Sequence, residues 1–265
     1  MTIKSFLIRS DPQQVEFTAA HKAKTASSQL LYLALHLLPG FLAYLLINVP
    51  AIHAFMVSVT HIPDPLLQGF YIVGVVLVWH LCLPFLLLNR VEKLSFRQIL
   101  SFLGLDRFDA KGFFLIVPLF FLAYTLVSLP FMRYIYPVMV DHINSVPWLR
   151  VPDYSIFDGA RIYLLPGWML ALLAIGNFVG EEVYFRGYLL KKIGFLGSWA
   201  WVVNSILFAL YHMWQPAQTW PLVFFALSFG ILMQWRKNLY PLILFHVLAN
   251  IVWGGIIGTV LERWH

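Results

Sequence analysis

Seven times along this chain an apolar run approaches the ~20 residues that an α-helix needs to cross the hydrocarbon core of a bilayer. The runs lie near Leu30–Val49, Leu66–Leu88, Phe113–Met132, Gly167–Leu190, Phe195–Met213, Trp220–Trp235 and Leu239–Val260. Lipid offers no hydrogen bonds to an exposed backbone, so such runs are expected to fold as helices that satisfy their own polar groups. The composition, 60% hydrophobic and 11% charged, excludes an ordinary soluble domain, in which about a quarter of residues are charged. The expected fold is an all-α polytopic transmembrane helix bundle of seven helices, or eight if Pro50–Ile62 also crosses. Residues 1–28 read as a cytoplasmic N-terminal segment without the pattern of a removable signal, and residues 29–265 as one membrane domain. No internal repeat is visible, so the inverted halves of many secondary transporters are not apparent.

Charge supplies an orientation, because Lys and Arg accumulate in cytoplasmic loops. With the N-terminus inside, 14 of the 18 basic residues are cytoplasmic, and Arg133, Arg150, Arg161 and Arg263 are outside. The expected location is the cell membrane of a prokaryote, N-terminus cytoplasmic. The net charge of +6 belongs to loops between spans, so the lipid bilayer, and not nucleic acid, is the expected partner. Cys82 is the single cysteine, which excludes an intrachain disulfide and a cysteine metal cluster. In the second inner loop Ser95 and Gln98 form a capping-box pattern ahead of Phe96, Ile99, Leu100 and Leu103 at helical spacing. That segment reads as a short connector helix tucked under the bundle at the interface. Gly254 and Gly258 form a Gly-x-x-x-Gly pair that reads as close helix packing or a dimer contact, and the oligomeric state stays undetermined.

Three ionisable residues interrupt the fourth apolar run: Glu181, Glu182 and Arg186. Each costs ~2.5–3.5 kcal/mol near a helix centre on insertion scales, so such residues usually face the bundle interior and serve a function. Glu182 and Arg186 are four apart with the acid first, the favourable order for a helical ion pair, which leaves Glu181 without an explanation. Later spans add His212 in Phe-Ala-Leu-Tyr-His, and His246 with Asn250 in His-Val-Leu-Ala-Asn. Asn204 falls on the face of Phe208 and His212. His36 and His80 read as packing residues. At ~1.5 Å per residue from the cytoplasmic end of each run, Glu181 lies at ~14 Å, His246 at ~10 Å, Asn250 at ~16 Å and His212 at ~20–25 Å. A carboxylate, two imidazoles and an amide suit hydrolysis: the carboxylate takes a proton from attacking water, imidazoles hold that water or a metal, and the amide donates to the oxyanion.

In order on successive membrane helices, Glu181-Glu182-x-x-x-Arg186, Phe208-x-x-x-His212 and His246-x-x-x-Asn250 resemble the CAAX protease and bacteriocin-processing (CPBP, or Abi) family, which includes the Rce1-type CAAX prenyl proteases. The resemblance spans roughly residues 168–256. It implies an intramembrane endopeptidase acting on lipid-modified, CAAX-type or small membrane-associated peptide substrates, near the cytoplasmic half of the bilayer. By that similarity Glu181 is the general base, His212 and His246 position water or a metal, Asn250 stabilises the oxyanion, and Glu182 and Arg186 support the site. Glu181, His212 and His246 would be the ligands of a divalent metal such as Zn²⁺. The alternatives are a non-proteolytic membrane scaffold or bacteriocin-immunity factor, and a proton-coupled transporter.

Overall fold

The computed structural model describes residues 12–158 and 161–257, all helices and connecting turns. Among the described residues six helices are long and apolar enough to cross a membrane: α2 (Ala26–Asn48), α4 (Asp64–Arg90), α6 (Gly112–Tyr134), α8 (Gly167–Lys192), α9 (Gly194–Tyr211) and α10 (Pro216–Arg236). A further apolar helix, α11 (Leu239–Val247), runs on in wider turns over Leu248–Ile257. The chain is an integral membrane protein, a polytopic helix bundle. Each apolar run of the sequence corresponds to one of these helices, with ends displaced by up to four residues. The start of α1 (Pro12–Ala20) precedes them.

The helix α3 (Pro50–Thr60) has 11 residues, or ~16 Å at 1.5 Å per residue, far short of the ~30 Å hydrocarbon thickness. It packs beside α2 and ends at His61, whose φ of 56° turns the chain into α4. His53 on α3 meets the Asp64 carboxylate at 2.8 Å, so both ends of this detour stay at one end of the bundle. The remaining short helices are α5 (Phe96–Leu103) and α7 (Tyr136–Asn144). The Ser95–Gln98 capping box of α5 has both reciprocal bonds, and Gly104 closes the helix in the left-handed region at φ 83°.

The helix α5 lies against the last turns of α8, with Ile99, Phe102 and Leu103 buried. Phe17 of α1 packs edge-on to Phe102, and the backbone N–H of Ala23 donates to the Lys192 carbonyl at 3.0 Å. Lys192 is buried there and pairs with Glu92. On the neighbouring strut, Arg236 at the end of α10 makes two 2.7 Å bonds to Asp109, ahead of α6. One end of the bundle is thus closed by docked segments and paired charges. Of the Gly-x-x-x-Gly pair, Gly258 lies outside the described residues.

Candidate active site

The three motif helices, α8, α9 and α11, meet around Glu181, which stands midway along α8, 14 residues after Gly167 and 11 before Lys192. On both sides of it the helix widens into π-type turns, Gly176–Gly180 and Glu182–Leu189. Such insertions re-aim side chains and recur at functional sites. The helix α4, itself widened over Gly74–Cys82, approaches so closely that a Cβ on Gly180 would lie 2.3 Å from the Val76 carbonyl oxygen. No larger residue leaves the two backbones in contact beside Glu181.

His212 follows the last residue of α9. The helix begins with 3-10 turns over Gly194–Trp199, broken by Gly197 at φ 59°, and regular α-helix starts only at Ala200. From there His212 is ~18 Å along at 1.5 Å per residue, which brings it to the level of Glu181. The end of α9 is fixed by α2, where a Cβ on Gly40 would lie 1.8 Å from the Tyr211 carbonyl oxygen.

Both imidazoles are held by Nδ1. That of His212 is 2.9 Å from the Phe208 carbonyl, and that of His246 is 2.9 Å from Glu182 Oε1. A carbonyl and a carboxylate accept, so Nδ1 carries the proton in each ring and Nε2 keeps a bare lone pair. His212 Nε2 is 3.9 Å from Glu181 Oε1, and His246 Nε2 is 4.0 Å from Glu181 Oε2. These gaps are too long for direct hydrogen bonds and leave a place where one small polar molecule can meet all three groups. Glu181 is 1% exposed, and its Oε2 has no partner among the described residues.

Glu182 does different work. Its Oε1 accepts from His246 Nδ1 and, at 3.2 Å, from Arg186 Nη1. The Arg186 guanidinium is fully buried, 3.8 Å from the centre of the Phe208 ring and 4.7 Å from that of Phe229. Asn250 donates from Nδ2 to Asn177 Oδ1 at 2.9 Å. An amide nitrogen carries two protons, so one remains for a ligand.

The site has two members that motif reading overlooks. Asn177 is four residues before Glu181 on the same helix, so its helical spacing was the available signal. Tyr211 is buried, and its hydroxyl donates to Glu181 Oε1 at 3.4 Å; its place beside His212 gave no hint of that direction. Asn204 is bound away from the site, donating to the Phe185 carbonyl at 2.9 Å and lying 3.0 Å from His36 Nε2. His80 stacks on Tyr184 and packs against Tyr211.

Two cavities meet at this centre. One of about 600 Å³ is lined by His212, His246, Asn250 and Asn177, and it reaches to Gln218 and Tyr136. A smaller one of about 290 Å³ has Glu181 and His212 in its wall, with Val76, Leu170, Leu173 and Phe157 making it apolar. Carboxylate and imidazole donors suit a divalent ion in kind. Their separations, 3.9 and 4.0 Å, exceed the ~3.3 Å that Zn²⁺ bonds of about 2.0–2.1 Å impose at a tetrahedral angle. Among the described residues no group of three His, Cys, Asp or Glu is spaced to hold a metal ion.

Residues 163–252, which contain every residue of this centre, match the family model described as type II CAAX prenyl endopeptidase Rce1-like. No curated protein and no solved structure matches the chain.

Proposed function

We propose, on the match of residues 163–252 to the Rce1-like family model, that the protein is an intramembrane endopeptidase in which Glu181 activates water. The observation that carries the reading is the pair of gaps from Glu181 to His212 and His246, 3.9 and 4.0 Å, each ending on a bare Nε2. Water in that position donates one proton to Glu181 and the other to one of the two imidazole lone pairs, which orients it. Attack on a peptide carbonyl in the larger cavity transfers the proton to Glu181 and places negative charge on the carbonyl oxygen. The remaining N–H of Asn250 faces that charge, the role of an oxyanion donor. Collapse breaks the C–N bond, and Glu181 returns its proton to the departing amine.

Glu182 acts through His246. Its carboxylate keeps the Nδ1 proton in place, so that Nε2 stays a lone pair, as second-sphere carboxylates do for other functional histidines. Because the separations do not match a tetrahedral ion, the steps above use none. The apolar chamber and the large cavity suit a lipid-modified or small membrane-associated peptide as substrate.

The test is Glu181→Gln. The amide keeps the size and the bond from Tyr211 but removes the base, so folded protein should persist while turnover falls roughly 10²–10⁴-fold. Full activity at normal abundance would refute the endopeptidase reading and favour a scaffold.

A further inference from the structure

Asn250 is the least restrained member of the centre. Glu181, Glu182, His212 and His246 are all buried, whereas Asn250 is exposed and lines the larger cavity. It stands where α11 has already passed into the wider turns of Leu248–Ile257. Its side chain makes one hydrogen bond among the described residues, from Nδ2 to Asn177 Oδ1 at 2.9 Å. An amide on a cavity wall without such a bond samples several rotamers, and in some of them its oxygen, not its nitrogen, faces the cavity. Presentation of an N–H to a reacting carbonyl therefore depends on Asn177.

The backbone that carries Asn177 is fixed from behind. Asn177 lies in the π-type turn Gly176–Gly180 of α8, and the glycines at its two ends let α4 press against it. A Cβ on Gly176 would collide with the Val76 side chain, and one on Gly180 with the Val76 carbonyl oxygen. Asn177 and Glu181 are four residues apart and share a helix face. Asn177 also lines both cavities, as His212 does. A carboxylate only accepts hydrogen bonds, so the Asn177 amide favours its N–H₂ toward Glu181 and its oxygen toward Asn250. That choice sets the next amide: the Asn250 nitrogen faces Asn177, and its second N–H is left for the cavity. Resting on the endopeptidase reading, we propose that Asn177 is a positioning residue, holding the Asn250 amide so that this N–H meets the oxyanion formed beside Glu181.

The test is a double-mutant cycle on cleavage of a quenched peptide ending in a farnesylated CAAX sequence, by enzyme in detergent, with rates normalised to folded protein. Asn177→Leu keeps a similar volume and removes the acceptor. It should lower kcat roughly 10–100-fold, the usual cost of losing an outer-sphere partner, and leave KM within about twofold. Asn250→Ala should lower kcat roughly 10²–10³-fold, as loss of an oxyanion donor does. Because Asn177 acts through Asn250, the double variant should be no slower than Asn250→Ala alone. Multiplied effects, an unchanged kcat in Asn177→Leu, or a change confined to KM would overturn the inference. If Asn177→Leu does not fold, Asn177→Ala takes its place in the cycle, with the same outcomes. A wild-type rate no higher than that of Glu181→Gln would instead overturn the endopeptidase reading, and the positioning role with it.

Discussion

Replacing Glu182 by Gln is the sharpest test of how charge is held in this bundle. Glu182 and Arg186 are both fully buried and meet at 3.2 Å, and Glu182 Oε1 also accepts from His246 at 2.9 Å. The amide keeps an oxygen in nearly the same place, so side-chain volume and one acceptor survive. What disappears is the only charge bonded to Arg186, whose Nε and Nη2 have no partners among the described residues. Breaking a buried pair by neutralising one member costs about 3–5 kcal/mol, because the other charge stays desolvated. The two aromatic rings under the guanidinium offset part of this, since a desolvated cation–π contact contributes about 2 kcal/mol. A net loss of about 1–3 kcal/mol is expected, to be measured by denaturant titration of the protein in detergent micelles. Adding Arg186→Met should recover part of that loss, because a neutral pair replaces an uncompensated cation. Stability of Glu182→Gln within about 0.5 kcal/mol of wild type, the usual range for surface changes, would refute the argument.

Gly40→Val should lower the yield of folded protein, since the new Cβ would sit 1.8 Å from a backbone oxygen that cannot move without α9; fluorescence-detected size-exclusion chromatography reads this. Tyr211→Phe keeps the packing and removes one bond to Glu181, worth about 1 kcal/mol of stability; turnover at saturating peptide should fall severalfold while folded protein is retained. Elemental analysis of protein purified without added metal is expected to find less than one equivalent of zinc, and activity should persist in protein shown to be metal-free. One tightly held equivalent, lost in the His212→Ala, His246→Ala double variant, would restore the metal-centred alternative.

The helices were legible because an apolar run of bilayer length has few other folds open to it. The capping box at Ser95 and Gln98 was legible for a similar reason, since its bonds are local. The site was legible as a set of residue types, Glu181, His212, His246 and Asn250, but its register was not. Measured from Phe195, His212 sits too deep to meet Glu181. The difference is absorbed by the 3-10 turns before Ala200 and by the π-type turns in α8, which depend on close helix packing and not on a local signal. The bond from Tyr211 to Glu181 and the pairing of Asn177 with Asn250 were illegible because both cross between helices. The sealed end was not apparent either, since α5 reads as a connector until its contact with α8 is seen.

Adjacent glutamates end up with opposite tasks because the helix turns one toward partners and the other toward space. Glu182 Oε1 is bonded twice, to a cation and to an imidazole proton, which fixes that carboxylate between Arg186 and His246. Glu181 has one long bond from Tyr211, a free oxygen, and two imidazole lone pairs just out of reach. A buried polar group left in that condition is unfavourable unless something fills the gap. The larger cavity, where His212, His246 and Asn250 converge, gives that something a route in. In the proposed mechanism, the same unmet hydrogen-bonding capacity that makes Glu181 costly to bury is what fits it to hold a water. Exchanging the roles shows the dependence: Glu181 could be neutralised without unpairing Arg186, whereas neutralising Glu182 unpairs Arg186 and weakens the acceptor for the His246 proton. Loss of chemistry with a sound fold at one position, and loss of fold at the next, is the pattern this division requires.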